Sequence, residues 1–295
     1  MNRAYAFAGN FWRYQARRFP IVALVLVFLP PILSSGAVVI AAAPAGFVAT
    51  ALLASIACML HLRIIDDFRD DAHDAAHHPE RPLVAGAITR RELAMTDRVA
   101  VATLIVCALT ANAQAVAIAS FMLVFSFFAG RDFFLGERLR RHFFAYNALN
   151  MLQMGFLQIL VYHLASADVR PTGLVLLHFL FTGTGSVIVE ILRKLKIPGD
   201  DGTGRDTYTW HLGFRGTLWV YSALAVANIL FFLLLARGIA LPFWTIIAAA
   251  AGAVTAASVL YNDRCRRSLS NQIMRGCFLV TYGGLNIAIY LGAST

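Results

Sequence analysis

Residues 66–74 read Asp66-Asp67-Phe68-Arg69-Asp70-Asp71-Ala72-His73-Asp74, five acids closing a strongly apolar run. On a continuous helix, at about 100° per residue, Asp66, Asp67, Asp70 and Asp74 fall within about 100° of one another, on one face. Carboxylates so crowded raise one another's pKa unless a cation sits among them. Hard oxygen ligands with room left for water suit Mg2+, which commonly bridges protein carboxylates to substrate phosphates. The pattern points to chemistry on phosphorylated or diphosphate substrates at a membrane surface.

A second charged stretch runs from Glu190 through Arg193, Lys194, Lys196, Pro198, Asp200, Asp201, Arg205 and Asp206 to Tyr208. Lys194 and Lys196 are the only lysines in the chain; every other basic side chain, histidine apart, is arginine. A lysine ammonium is a compact point charge suited to a phosphate oxygen. Pro198 and the glycines predict a loop here, and loops carry site residues readily.

These motifs are set in a chain built for lipid. Of its 295 residues, 59% are hydrophobic and 14% charged, with a mean hydropathy of +0.68. That composition implies an integral membrane protein. The net charge of +9 lies in short loops between apolar stretches, which argues against nucleic acid as a partner. Cys58, Cys107, Cys265 and Cys277 are scattered without a paired motif, so neither disulfides nor a zinc site are expected. Residues 1–19, with four arginines among aromatics, are expected to form an interfacial helix rather than a cleaved leader.

Apolar stretches long enough to span a bilayer run over 20–43, 45–65, 93–112, 113–129, 143–165, 173–192, 216–236, 241–261 and 272–293. The expectation is one all-α membrane domain, 1–295, of about nine transmembrane helices around a central cavity open to the cytoplasm. Pro30-Pro31 should kink the first helix, and Asn112-Ala113-Gln114 should hide a tight turn. The N-terminus and the segments 66–92, 130–142, 193–215 and 262–271 hold nearly all the arginines and both lysines. By the positive-inside rule they face the cytoplasm. The longer segments, 66–92 and 193–215, follow the second and sixth spans and carry both acid clusters, as two lids over one cavity would. Polar residues within spans, among them Asn147, Asn150, Gln153, Gln158, Asn228 and Asn286, are expected to hydrogen-bond between helices.

Asp67, Asp70 and Asp74, with Asp66 before them and Arg81-Pro82-Leu83 after, resemble the first aspartate-rich motif of the UbiA superfamily of intramembrane prenyltransferases, N-D-x-x-D-x-x-x-D followed by R-P-L. Asp66 stands where that family has Asn. The second segment resembles the family's D-x-x-x-D motif; anchored on Gly204, Thr207 and Gly213, it places Asp200 at the second Asp and Lys196 at the first. Asp201, Asp206 or Glu190 would then supply the missing carboxylate. Phe134 and Arg138 occupy the place of the family's aromatic-x-x-x-basic element, usually Tyr and Lys. The overall pattern is similar to a bacterial subgroup.

The resemblance implies a Mg2+-dependent transfer of an isoprenoid group from an allylic diphosphate to an aromatic or lipid acceptor, with release of pyrophosphate. Asp66, Asp67, Asp70, Asp74, Asp200 and Asp201 would hold the metal. Arg81, Arg138, Glu190, Lys194, Lys196 and Asp206 would meet the substrate. The implied partners are an isoprenyl diphosphate, a lipophilic acceptor and membrane lipid, and the implied location is a bacterial inner membrane with the motifs facing the cytoplasm. Other outcomes of the same chemistry are terpene cyclisation, or phosphoribosyl transfer to a polyprenyl phosphate. A cation-coupled carrier is a non-enzymatic alternative, but carriers place ionisable groups nearer the bilayer midplane.

Overall fold

A computed structural model describes residues 3–197 and 207–293. Asp200, Asp201 and Asp206, and the anchor Gly204, lie outside the described residues. Among those described there is no strand. Helices occupy Arg3–Arg18 (α1), Ile21–Ile40 (α2), Ala45–Arg69 (α3), Asp71–His77 (α4), Arg90–Leu109 (α5), Ala113–Ala129 (α6), Glu137–Arg140 (α7), Phe143–Ala165 (α8), Gly173–Arg193 (α9), Tyr208–Gly238 (α10), Trp244–Cys265 (α11) and Ser268–Ala293 (α12).

Each of the nine apolar stretches is occupied by a long helix: α2, α3, α5, α6 and α8 to α12. Among the described residues, seven of the nine are long and apolar enough to cross a membrane. The other two differ for visible reasons. α6 has 17 residues, and the first half of α5 carries Arg90, Arg91, Glu92, Asp97 and Arg98. Large apolar side chains on the spanning helices stand exposed, Val22, Trp219 and Val280 at 76%, 77% and 78%, as contact with lipid requires. The chain is an integral membrane protein.

The chain divides into two compact units, Met1–Leu29 with Ala45–Ala167, and Pro30–Pro44 with Asp168–Thr295. The division within α2 falls at Pro30-Pro31, and the helix runs through the pair.

In the first unit α5 packs on α3 and α6, and α8 packs on α6 and α3. Small buried residues, Ala51, Ala54, Ser55 and Cys58 on α3 with Ala100 and Ala108 on α5, let the backbones approach closely. Tyr14 and Phe19 join Ile64, Ile88 and Leu93 in a buried cluster, so α1 is packed into the unit rather than lying free at an interface. The turn expected near Asn112 is present, with the Asn112 side chain capping α6 by accepting from the Ala115 N–H at 2.9 Å. Thr89 and Glu92 form a reciprocal capping box at the start of α5, which fixes where the 66–92 segment ends.

In the second unit α10 packs on α9 and α11, and α12 on α11. Asn228 donates to the Phe181 carbonyl at 2.7 Å and to Thr184 Oγ1 at 2.8 Å, the cross-helix role expected of it. Asn286 accepts from Ser34 at 2.7 Å, and Ser34 also pairs with His178 at 2.8 Å. Asn147 donates to the Phe143 carbonyl of its own helix. The loop expected over 193–215 is helical from Tyr208, with a break at Gly213, whose φ of 70° is open to glycine at little cost.

At Gly185 a Cβ would meet the Tyr282 ring at 2.4 Å. That ring is 6% exposed and stacked on Phe278 at 5.6 Å, so it has nowhere to go. Gly185→Ala should therefore lower stability by about 1–3 kcal/mol through overpacking, measured as a lower unfolding midpoint in detergent. An unchanged midpoint would show that the α9–α12 contact relaxes freely.

Candidate functional site

The acid motif sits at a helix junction. α3 ends at Arg69, Asp70 takes φ −93° and ψ 5°, and α4 begins at Asp71. The acids on either side of this junction are divided among different partners. Asp67 and Asp74 are buried, at 4% and 3% exposure. Asp67 accepts from the Tyr14 hydroxyl at 2.9 Å and pairs with Arg18, both from α1. Asp74 pairs with Arg81, which ties the Arg81-Pro82-Leu83 turn to the motif. Asp71 pairs with Arg90 at 2.6 Å.

The remaining acids share one arginine. Arg69 reaches Asp66 at 2.9 Å and grips Asp70 through two nitrogens at 3.1 and 3.2 Å. Its guanidinium lies 5.7 Å from the centre of the Tyr146 ring and 3.8 Å from Asp132. Arg140 closes the network, 2.8 Å from Asp132 and 3.5 Å from Asp70. Asp132 is brought in by strained backbone: Asp132, Phe133 and Phe134 have φ of 49°, 54° and 58°, a left-handed turn that costs ordinary residues of order 1–2 kcal/mol each. Such strain persists where surrounding contacts hold it, often at functional sites.

The charges respond to this setting. Burial works against the Arg140 cation, but the hydrogen bond and charge of Asp132 outweigh it and raise its pKa. For Arg18, likewise, burial is outweighed by the hydrogen bond and charge of Asp67, and the pKa is raised. Burial, then the Asp67 charge, pushes the Tyr14 hydroxyl up as well, so Tyr14 remains a neutral donor.

Of the other residues expected at the site, Glu190, Lys194 and Lys196 belong to the second unit and Phe134 and Arg138 to the first. Glu190 holds Arg193 at 2.8 Å and Lys194 at 3.1 Å. Lys196 is exposed, and its backbone N–H donates to Thr209 Oγ1 at 3.0 Å. Arg138 is exposed and Phe134 is 64% exposed; the charged network takes up their neighbours Asp132 and Arg140 instead. Sequence reasoning missed Tyr14, Arg18, Asp132 and Tyr146. The available signal was an isolated acid, Asp132, directly after a span, with arginines on both sides.

Among the described residues, no three His, Cys, Asp or Glu side chains gather closely enough to hold a metal. The donor chemistry nevertheless fits an oxygen-seeking cation at one place. The Asp66 and Asp70 side chains are 41% and 28% exposed, and the Arg69 guanidinium stands in for the cation their proximity demands. Asp67 and Asp74 are enclosed by their own partners.

The UbiA prenyltransferase family model matches residues 16–280. The chain belongs to the UbiA prenyltransferase family. Solved structures agree on the fold. A digeranylgeranylglyceryl phosphate synthase structure aligns at a TM-score of 0.65 and 16% identity, covering 100% of this chain and 99% of that one. An apo UbiA homologue from Aeropyrum pernix K1 aligns at 0.65 and 16%, covering 89% and 96%. A UbiA homologue from Archaeoglobus fulgidus bound to DMAPP and Mg2+ aligns at 0.62 and 14%, covering 96% and 99%. No curated protein sequence matches this UbiA-family chain.

Proposed function

We propose that this protein is an intramembrane prenyltransferase that moves an isoprenoid group from an allylic diphosphate to an aromatic or lipid acceptor and releases pyrophosphate. The observation that carries the reading is the carboxylate–arginine network at the end of α3, built where a membrane helix meets water. Family membership supports the reaction class, and the A. fulgidus homologue bound to DMAPP and Mg2+ supports the ligand class. The positive charge of the loops supports a cytoplasmic site in a bacterial inner membrane.

Mg2+ would be held by Asp66 and Asp70, with Asp200 and Asp201 as proposed partners from the second motif; when bound it neutralises charge on the departing diphosphate. Arg69 and Arg140 add fixed cations beside those carboxylates, placed before the reaction so that no reorganisation is needed. Asp67 and Asp74 anchor α1 and the 81–88 turn against the motif, fixing its shape. Arg81, Arg138, Lys194, Lys196, Glu190 and Asp206 are the proposed substrate contacts. The apolar helix faces keep water from the allylic cation.

Purified protein incubated with Mg2+ and a panel of allylic diphosphates, with and without membrane lipid extract, tests the reading. Pyrophosphate release that depends on the extract supports transfer. Release with a new hydrocarbon and no extract indicates cyclisation instead.

The lysines offer a narrower test. Lys196→Asp should raise the diphosphate KM or lower kcat about tenfold or more, as loss of a charge-assisted hydrogen bond of about 1.5–3 kcal/mol would. Lys194→Ala should do less, because Glu190 already shares that ammonium. Wild-type kcat/KM in both variants would transfer the phosphate-binding role to Arg138.

A further inference from the structure

The helix that precedes the first span turns two unlike faces to its surroundings. α1 buries Tyr14 and Gln15 and reaches inward with Arg18 to Asp67. Ala8, Trp12, Arg13, Ala16 and Arg17 are exposed, Trp12 at 69%. At about 100° per residue these positions occupy one half of the helix circumference, with Ala8, Trp12 and Ala16 along one edge and Arg13 and Arg17 along the other. Among the described residues Arg18 has a counter-charge, whereas Arg13 and Arg17 pair with no carboxylate.

What lies beside this face follows from the chain itself. α2 is a membrane span of 20 residues, about 30 Å long, which matches the thickness of the hydrocarbon core. Its first residue, Ile21, therefore stands at the boundary between lipid tails and headgroups. α1 ends at Arg18, and the chain from Arg18 to Ile21 covers at most about 11 Å. The last turn of α1 is thus held at the headgroup layer. Val22 and Leu26, at the start of α2, are 76% and 69% exposed, so lipid reaches this corner of the first unit.

We propose that the outward face of α1 is a docking surface for anionic phospholipid, with Trp12 seated at the upper acyl chains and Arg13 and Arg17 holding headgroup phosphates. An indole suits that depth because its ring is apolar and its N–H polar. A guanidinium donates two parallel hydrogen bonds to a phosphate, and charge alone favours each arginine near a negative leaflet by about fivefold. Arg13 and Arg17 are one turn apart, about 6 Å along the axis, close enough to share one headgroup. Arginines that served orientation alone would stay hydrated and be indifferent to headgroup charge. The same helix holds Asp67 on its reverse side through Tyr14 and Arg18, so the contact joins the lipid surface to the acid motif. It does not depend on the reaction proposed above.

The test reads the lipid beside Trp12 directly. In the full-length protein, Trp210→Phe, Trp219→Phe and Trp244→Phe leave Trp12 as the single indole. This protein is reconstituted in phosphatidylcholine vesicles containing an equal minor fraction of either phosphatidylglycerol or phosphatidylcholine brominated near the headgroup end of its acyl chains. Bromine quenches the indole on contact, so the two quenching curves give the relative affinity of the two lipids for this face. Phosphatidylglycerol should be preferred by at least about fivefold. Adding Arg13→Gln and Arg17→Gln should bring the ratio to about one, whereas Arg13→Lys with Arg17→Lys should keep it, because the attraction is for charge. Equal quenching by the two lipids with both arginines present, or an unchanged preference in the glutamine pair, overturns the docking surface. Failure of either brominated lipid to quench Trp12 overturns it as well.

Discussion

Asp70→Asn is expected to reduce Mg2+-dependent pyrophosphate release by at least about 100-fold while the protein remains folded. Asp70 stands at the α3–α4 junction, held by Arg69 through two nitrogens and approached by Arg140. Like Asp132 it meets both arginines, and its side chain is 28% exposed, open enough to meet a ligand. Asparagine preserves the shape and removes the charge, so the loss falls on electrostatic stabilisation of the leaving group, where one well-placed group is commonly worth about 100- to 1000-fold. Asp66→Asn should act in the same direction, since Arg69 reaches Asp66 as well. Turnover within threefold of wild type for Asp70→Asn at saturating Mg2+ would remove this acid from the site.

Asp67→Ala should act mainly on stability. The Arg18 and Asp67 side chains are 17% and 5% exposed, and Tyr14, the other partner of Asp67, is fully buried. Deleting the carboxylate leaves the part-buried Arg18 without its hydrogen-bonded counter-charge, a change that costs at most about 3–5 kcal/mol. The expected result is a markedly lower unfolding midpoint in detergent, with loss of activity following loss of fold. The double variant Arg18→Met/Asp67→Leu should recover much of that midpoint, because replacing both partners by apolar groups removes the unpaired charge. Equal midpoints for wild type and Asp67→Ala would mean that α1 is not held by this pair.

The positions of the long helices were legible because apolar runs between arginine-rich loops carry their own boundaries. α6, α8 and α9 begin at the expected residues, and Asn112 caps α6 as its position implied. What periodicity could not supply was the interruption at Asp70. Asp67, still within α3, meets Tyr14 and Arg18 of α1, while Asp70, at the junction, meets Arg69 and Arg140, and no spacing rule anticipates those partners. Tyr14, Arg18 and Tyr146 were invisible for a related reason. Each reaches the motif through tertiary packing, Tyr14 and Arg18 across 53 and 49 residues of chain. The family element pointed to Phe134 and Arg138, whereas the left-handed turn at 132–134 directs the neighbouring Asp132 inward to Arg140.

The central claim is that a cation-dependent site at the α3–α4 junction releases pyrophosphate from an allylic diphosphate. The most direct measurement is pyrophosphate release from geranyl diphosphate and shorter or longer homologues by purified wild type and by Asp66→Asn/Asp70→Asn, each with lipid extract, in Mg2+ and after chelation. The expected result is release by the wild type with at least one homologue, abolished by chelation and absent in the double variant. Release that persists after chelation, or at the wild-type rate in the double variant, would contradict it.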